Sequence, residues 1–381
     1  MALDPVSVHH ASLVIDTHAD TPQRFLDEGW EFDAPLGHGM LSLDTAAAGG
    51  LNAEFFAAWV EPRLYPGQYA SRTVALLQAV HDQVRRHPDH MRLCLTPDDI
   101  LAAQAENKFA ALLGVEGGHS IENSLDNLRA FHALGARYMT LTWSNTNEWA
   151  DSSGDLNNPA IPHHGGLTAF GREVVREMNR LGMMVDVSHV SDKTFADVLA
   201  ITAAPIIASH SSARALTAAP RNLTDDMLRA IAANDGAVMV NFFPSFIDED
   251  WRTAWNTLLP ELHEAQHALE KQLHAEGKSV SYAQAAAIDR EFAARIPRAP
   301  FASLIDHIDH VARTAGIDHV GIGSDFDGMP SLPEGIDSAA DLPKVTAALM
   351  ARGYSAEQMQ KLLGANVLRV FRDVQALADR P

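Results

Sequence analysis

Cysteine is almost absent: Cys94 stands alone among 381 residues. A single thiol excludes a disulfide within the chain and removes thiolate clusters as metal ligands, so any metal would rest on nitrogen and oxygen donors. No run of about 18 apolar residues occurs, and residues 1–10 carry no basic stretch followed by an apolar core. A cytoplasmic protein with no membrane contact is the expectation. Positive charge is scarce too, with 29 Lys plus Arg against 49 Asp plus Glu and a formal net charge of −20. The basic residues are scattered, which argues against a nucleic-acid partner, because neutralising phosphates needs a basic surface. Internal repeats and low-complexity tracts are also missing.

What remains is ordinary for a soluble globular enzyme: 46% hydrophobic and 20% charged residues, in a chain long enough for a large core. Short apolar runs alternate with long amphipathic segments, the pattern of a parallel sheet wrapped by helices. Eight runs read as strands: 12–16, 53–60, 110–115, 137–142, 183–187, 205–208, 237–241 and 319–323. Eight is the number that a closed (β/α)8 barrel, the TIM barrel of the α/β class, requires. Helices are expected at 71–86, 123–134 and 171–181, and Ser355 with Gln358 gives a capping-box signature for the last one.

The segment 246–299, rich in Ala, Glu, Gln and His, breaks the rhythm before the last strand and reads as a helical hairpin inserted into a single domain spanning 1–381. It could be a lid with Trp251 and Trp255 facing the site, or a packing or dimer arm.

Histidines and carboxylates recur at the ends of these runs. His18 and Asp20 follow the first, with Asp16 sharing their parity as a candidate to orient a ligand; Glu116 follows the third, ahead of Gly117 and Gly118. Ser188-His189 and Ser209-His210 form a matched pair one βα unit apart, and Asp325 follows the last run. On parallel neighbouring strands these residues converge on one mouth of the barrel. Glutamate can bridge two ions about 3.5–4 Å apart, which histidine cannot do, so a two-metal hydrolase is the leading reading. Asp325 stands where a general base would take a proton from water. His307 and His310 read as surface or interface residues, and His163 and His164 as solvated.

Several longer motifs appear in a fixed order: Ile15-Asp16-Thr17-His18-Ala19-Asp20, Gly114-Val115-Glu116-Gly117-Gly118-His119, Asp186-Val187-Ser188-His189, Ser209-His210-Ser211-Ser212, Pro220-Arg221-Asn222, Val240-Asn241-Phe242 and Gly323-Ser324-Asp325-Phe326-Asp327-Gly328. On these motifs the chain resembles the renal, or membrane, dipeptidase family of the amidohydrolase superfamily. The resemblance implies two zinc ions, with His18 and Asp20 on the first, His189 and His210 on the second and Glu116 between them. It implies hydrolysis of dipeptides, including L-Xaa-D-Xaa, by a bridging hydroxide, with Asp325 as proton carrier and Arg221 holding the substrate's carboxylate. It also suggests a homodimer. Trp143, Asn241 and Phe243 are expected at the substrate. Trp143 stands where mammalian relatives carry a histidine, and Phe243 where they carry a tyrosine, changes that leave N-acyl amino acids or a lactam as alternative substrates. A barrel that binds metal and ligand without catalysis is the remaining alternative.

Overall fold

The computed structural model describes residues 4–378. Nine strands form one all-parallel sheet: β1 (Ile15–Ala19), β2 (Ala53–Trp59), β3 (Met91–Leu93), β4 (Phe109–Glu116), β5 (Ala136–Thr140), β6 (Met184–Asp186), β7 (Ile207–Ala208), β8 (Ala237–Val240) and β9 (Val320–Ile322). Eight of them close into a barrel in the order β1, β2, β4, β5, β6, β7, β8, β9, and β9 returns to β1 through Asp16 and Ile322. This is the (β/α)8 architecture. The extra strand, β3, pairs with the first residues of β4, and β5 takes over that edge from Leu113 onward.

The strands are buried on both faces, so they read as continuous apolar runs rather than as alternating ones. Alternation still decides where each side chain goes. Ile15, Phe55, Leu112, Tyr138, Met184, Ile207 and Met239 form a cluster inside the barrel, joined by Val370 and Phe371 of the C-terminal helix. The other parity, including Phe56, Leu113, Val115, Met139, Val185 and Val240, packs outward with residues of the surrounding helices. Helix Tyr69–Arg86 shows how the sequence sets this up: Leu76, Leu77 and Val80 lie on one buried face while Arg85 and Arg86 sit in the last turn.

β1 differs from expectation by three residues. It begins at Ile15 and its pairing with β2 is irregular between Asp16 and Ala19, so His18 lies within the strand rather than beyond it. Asp16 Oδ1 accepts the backbone N–H groups of Ser324 (2.8 Å) and His18 (3.4 Å), which ties the β1 end to the loop after β9.

Between β8 and the helix Phe301–Ala315, two helices, Glu249–Ala275 and Tyr282–Ala293, lie against each other. Trp251, Trp255, Leu262, Phe292 and Ile296 make a small apolar cluster of their own, separate from the two clusters of the barrel. His307 departs from its expected surface position. It is buried, because its Nδ1 accepts the Ala213 N–H at 3.0 Å and its Nε2 meets Thr217 Oγ1 at 3.2 Å, which satisfies both ring nitrogens away from water. Among the described residues no helix is long and apolar enough to cross a membrane.

Candidate metal centre

Five side chains from four strand ends meet at the barrel mouth. Glu116, the last residue of β4, sits at the centre. Its Oε2 lies 3.3 Å from His18 Nε2, and its Oε1 lies 2.9 Å from His189 Nε2 and 3.3 Å from His210 Nε2. Asp20 Oδ2 is 3.8 Å from His18 Nε2, and the two histidine nitrogens of the other pair are 3.0 Å apart. One carboxylate oxygen thus faces each pair of donors.

These separations suit cations. Ligands about 2.0–2.1 Å from a tetrahedral zinc are separated by roughly 3.3 Å, close to the observed donor spacings. Two Nε2 atoms and a carboxylate oxygen crowded within 3.3 Å of one another cannot all satisfy each other by hydrogen bonding, whereas lone pairs directed at a cation can be satisfied together. Buried His18 Nε2 and Asp20 Oδ1 have no hydrogen-bond partner. His18, Glu116 and His210 form one group able to hold an ion, and His18, Asp20 and Asp325 form another. The donors are imidazoles and carboxylates only, as a chain with one buried cysteine requires.

The electrostatics agree. Burial alone would lower the His18 pKa, but Glu116, Asp20 and Asp325 around it raise it to about 10. Burial, reinforced by Glu116, pushes Asp20 well above the usual carboxylate range. Glu116 moves the other way: burial opposes its charge, yet the imidazoles of His18, His189 and His210 around it hold it well below that range. Closely packed buried carboxylates of this kind are stable when positive charge is brought among them.

Each imidazole is aimed from behind. His18 Nδ1 meets the hydroxyl of Tyr138 at 2.9 Å. His210 Nδ1 meets Ser209 Oγ at 2.7 Å, and that hydroxyl donates in turn to Asp186 Oδ2 at 2.6 Å. His189 Nδ1 is 3.4 Å from Ser144 Oγ. Bonding at Nδ1 leaves Nε2 free for an ion and fixes the ring's rotation. Sequence reasoning gave no role to Tyr138, Ser144 or Asp186, although Asp186 opens one of the quoted motifs. The serine of the second matched Ser-His pair was a usable signal for Ser209, but nothing local to residue 138 marks it, because its partner is 120 residues away.

Asp325 stands above β9 in the left-handed region at φ 67°, as does His189 at φ 68°. Burial raises the Asp325 pKa to about 6, against the opposing pull of His18. Asn241 donates to Asp325 Oδ2 at 3.0 Å and accepts the Phe243 N–H. It is fully buried, and its side chain joins Asp325 to the backbone at Phe243. Arg221 donates to Ser211 Oγ (2.6 Å) and to the His210 carbonyl (2.7 Å), so two of its hydrogens brace the loop that carries His210.

A cavity of about 550 Å³ opens over this centre. Asp20, Glu116, His189 and Asp325 line it on one side, and Trp59, Trp143 and Phe243 form its walls. Trp143 lies against Trp59, with ring centroids 4.8 Å apart, and both line the cavity. The helical hairpin closes the far side through Trp255, Leu262, Gln266, Tyr282 and Asp289, whereas Trp251 is turned away onto Phe243.

Comparison with known proteins gives the same answer as the geometry. The family model described as membrane dipeptidase (Peptidase family M19) matches residues 5–381. Dipeptidase tcpJ of Claviceps purpurea (strain 20.1) is 36% identical over 305 residues, which are 80% of this chain and 60% of that relative. Dipeptidase verJ of Clonostachys rogersoniana is 35% identical over 82% of this chain and 68% of its own length. The chain therefore spans only 60% and 68% of the length of these two relatives. Among solved structures, the probable dipeptidase PvdM from Pseudomonas aeruginosa superposes with a TM-score of 0.83 at 27% identity over 98% of both chains. A metallopeptidase from Rhodobacter sphaeroides, solved with a phosphinate mimic of the dipeptide L-Ala-D-Ala, gives a TM-score of 0.76 at 27% identity over 95% of this chain and 99% of its own. With the motifs, the barrel and the ligand cluster in agreement, the chain belongs to the membrane dipeptidase family, Peptidase family M19.

Proposed function

We propose that this protein is a two-zinc dipeptidase that cleaves the peptide bond of dipeptides, including those with a D residue on the C-terminal side. The observation that carries this reading is Glu116, whose two oxygens face two separate donor sets, His18 with Asp20 and His189 with His210. Zinc held by these residues would polarise the scissile carbonyl and make water a nucleophile near neutral pH. Asp325 supplies the proton path: it takes the proton of the attacking water and delivers it to the departing amine, and Asn241 fixes the oxygen that does so. Arg221 keeps the hydrogens not used on His210 and Ser211 for the substrate's carboxylate. Trp59 and Trp143 keep bulk water from the reacting carbonyl. The D-residue preference draws its support from the Rhodobacter relative and its L-Ala-D-Ala mimic.

The test is a panel of L,L and L,D dipeptides beside N-acyl amino acids and lactams, assayed with zinc-loaded protein whose metal content is measured. The expected result is about two zinc ions per chain and turnover of dipeptides above the other amides. Protein that binds no zinc, or that cleaves only the other amides, overturns the reading.

A further inference from the structure

The cavity is larger than cleavage of a small dipeptide requires. Its volume of about 550 Å³ falls in the range of about 300–1,000 Å³ that encloses drug-sized ligands. The surplus lies on the hairpin side, and its surface there is mostly apolar: Trp255, Leu259, Leu262, Val280 and Ile288. Two carboxylates line that side: Glu270, whose Oε2 meets His267 Nδ1 at 2.9 Å, and Asp289. Asp289 faces the cavity and accepts a hydrogen bond from Gln266 Nε2 at 2.7 Å. Burial raises its pKa to about 6, against the opposing hydrogen bond from Gln266 and the charges of Arg63 and Arg290. Two arginines share the cavity, but among the described residues neither forms an ion pair with Asp289. Arg63 is held by Glu61 at 3.0 Å, and Arg290 also lines a smaller crevice beside Glu28 and Asp327.

An apolar wall carrying a half-buried carboxylate suits a long side chain with a charged tip. Lysine and arginine bury their methylene stems on apolar surfaces and carry charge at the tip. A half-buried carboxylate gains more from such a tip than an exposed one does, because little water competes for it. We propose, on the dipeptidase reading above, that Asp289 is a specificity residue that accepts the cationic head of a lysine- or arginine-type side chain in the substrate, with the stem lying along Leu259, Leu262 and Ile288. The hairpin then selects the substrate while the strand ends perform the chemistry.

The experiment compares kcat/KM for dipeptides bearing Lys or Arg with the same dipeptides bearing norleucine, at each of the two positions, in zinc-loaded wild type, Asp289→Asn and Asp289→Glu. Zinc content and circular dichroism are recorded for each protein. The wild type should prefer the basic residue at one position by about tenfold, the worth of a hydrogen bond to a charged group. Asp289→Asn should collapse that ratio towards one, and Asp289→Glu should restore most of it. A wild type with no preference overturns the proposal. So does an Asp289→Asn variant that loses activity equally on basic and norleucine substrates, which would mean that Asp289 meets the α-ammonium common to all dipeptides or only supports the fold. Hydrolysis without charge preference removes Asp289 alone, whereas no hydrolysis of any dipeptide removes the proposed function and this inference together.

Discussion

Tyr138 holds His18 from inside the barrel, its hydroxyl 2.9 Å from the imidazole Nδ1, and it is fully buried where it does so. Its ring occupies space left by Gly114 on the neighbouring strand β4, where a Cβ would fall 2.1 Å from the ring. The packing of the barrel's interior therefore reaches the metal-binding face through one phenol.

Replacing that phenol tests the connection. Tyr138→Phe should keep the barrel folded but weaken zinc binding by about 10–100-fold, the usual effect of removing the partner that orients a ligating histidine. Competition with a chromophoric chelator measures this directly. Unchanged affinity would show that packing alone aims His18.

Gly114→Ala should act on the same ring from the other side. The added methyl group requires Tyr138 to move, at about 1–3 kcal/mol for overpacking a core. Urea unfolding should show that loss, and the zinc affinity should fall with it. A variant as stable as wild type, with full zinc affinity, would contradict the close contact.

Asp325→Asn separates proton transfer from metal binding. Asparagine tolerates the left-handed backbone at this position, so the loop should stay in place. Turnover should drop by about 10²–10⁴-fold, the range for loss of general acid–base catalysis, while metal analysis still finds zinc. Activity within a few-fold of wild type would remove Asp325 from the proton path.

His307 sets an acid limit on stability. Burial, and His310 beside it, lower its pKa to about 3 in the folded protein, from an ordinary value of 6.5. Above pH 6.5 both states are neutral and there is no penalty. As pH falls from 6.5 towards 3 the unfolded chain takes up a proton that the folded one refuses, so stability declines by up to about 1.4 kcal/mol per pH unit. His307→Asn keeps an acceptor for the Ala213 N–H but cannot titrate. Its unfolding free energy should therefore fall less steeply between pH 6 and 4, as measured by urea titration, and parallel slopes would show that this residue is not the cause.

The parts legible in the sequence were those with a local signature. All eight barrel strands could be read as apolar runs, because a strand buried on both faces needs no partner's pattern to be recognised. The residues brought together at the mouth, His18, Asp20, Glu116, His189, His210 and Asp325, were likewise marked by their place at strand ends. What escaped depended on distant contacts. β3 is only three residues long, Tyr138 and Asp186 looked like ordinary strand residues, and the bond from Asn241 to Asp325 spans 84 positions. His307 looked like a surface residue because its partners, Ala213 and Thr217, lie about ninety residues upstream.

The hairpin's separate apolar cluster has an evolutionary consequence. Trp251, Trp255, Leu262, Phe292 and Ile296 stabilise the two helices largely against each other, so mutations there need not propagate into the barrel. Trp255 and Leu262 belong to that cluster and also line the cavity, so the hairpin's packing and the cavity's shape change together, and grafting the whole segment between relatives moves both as a unit.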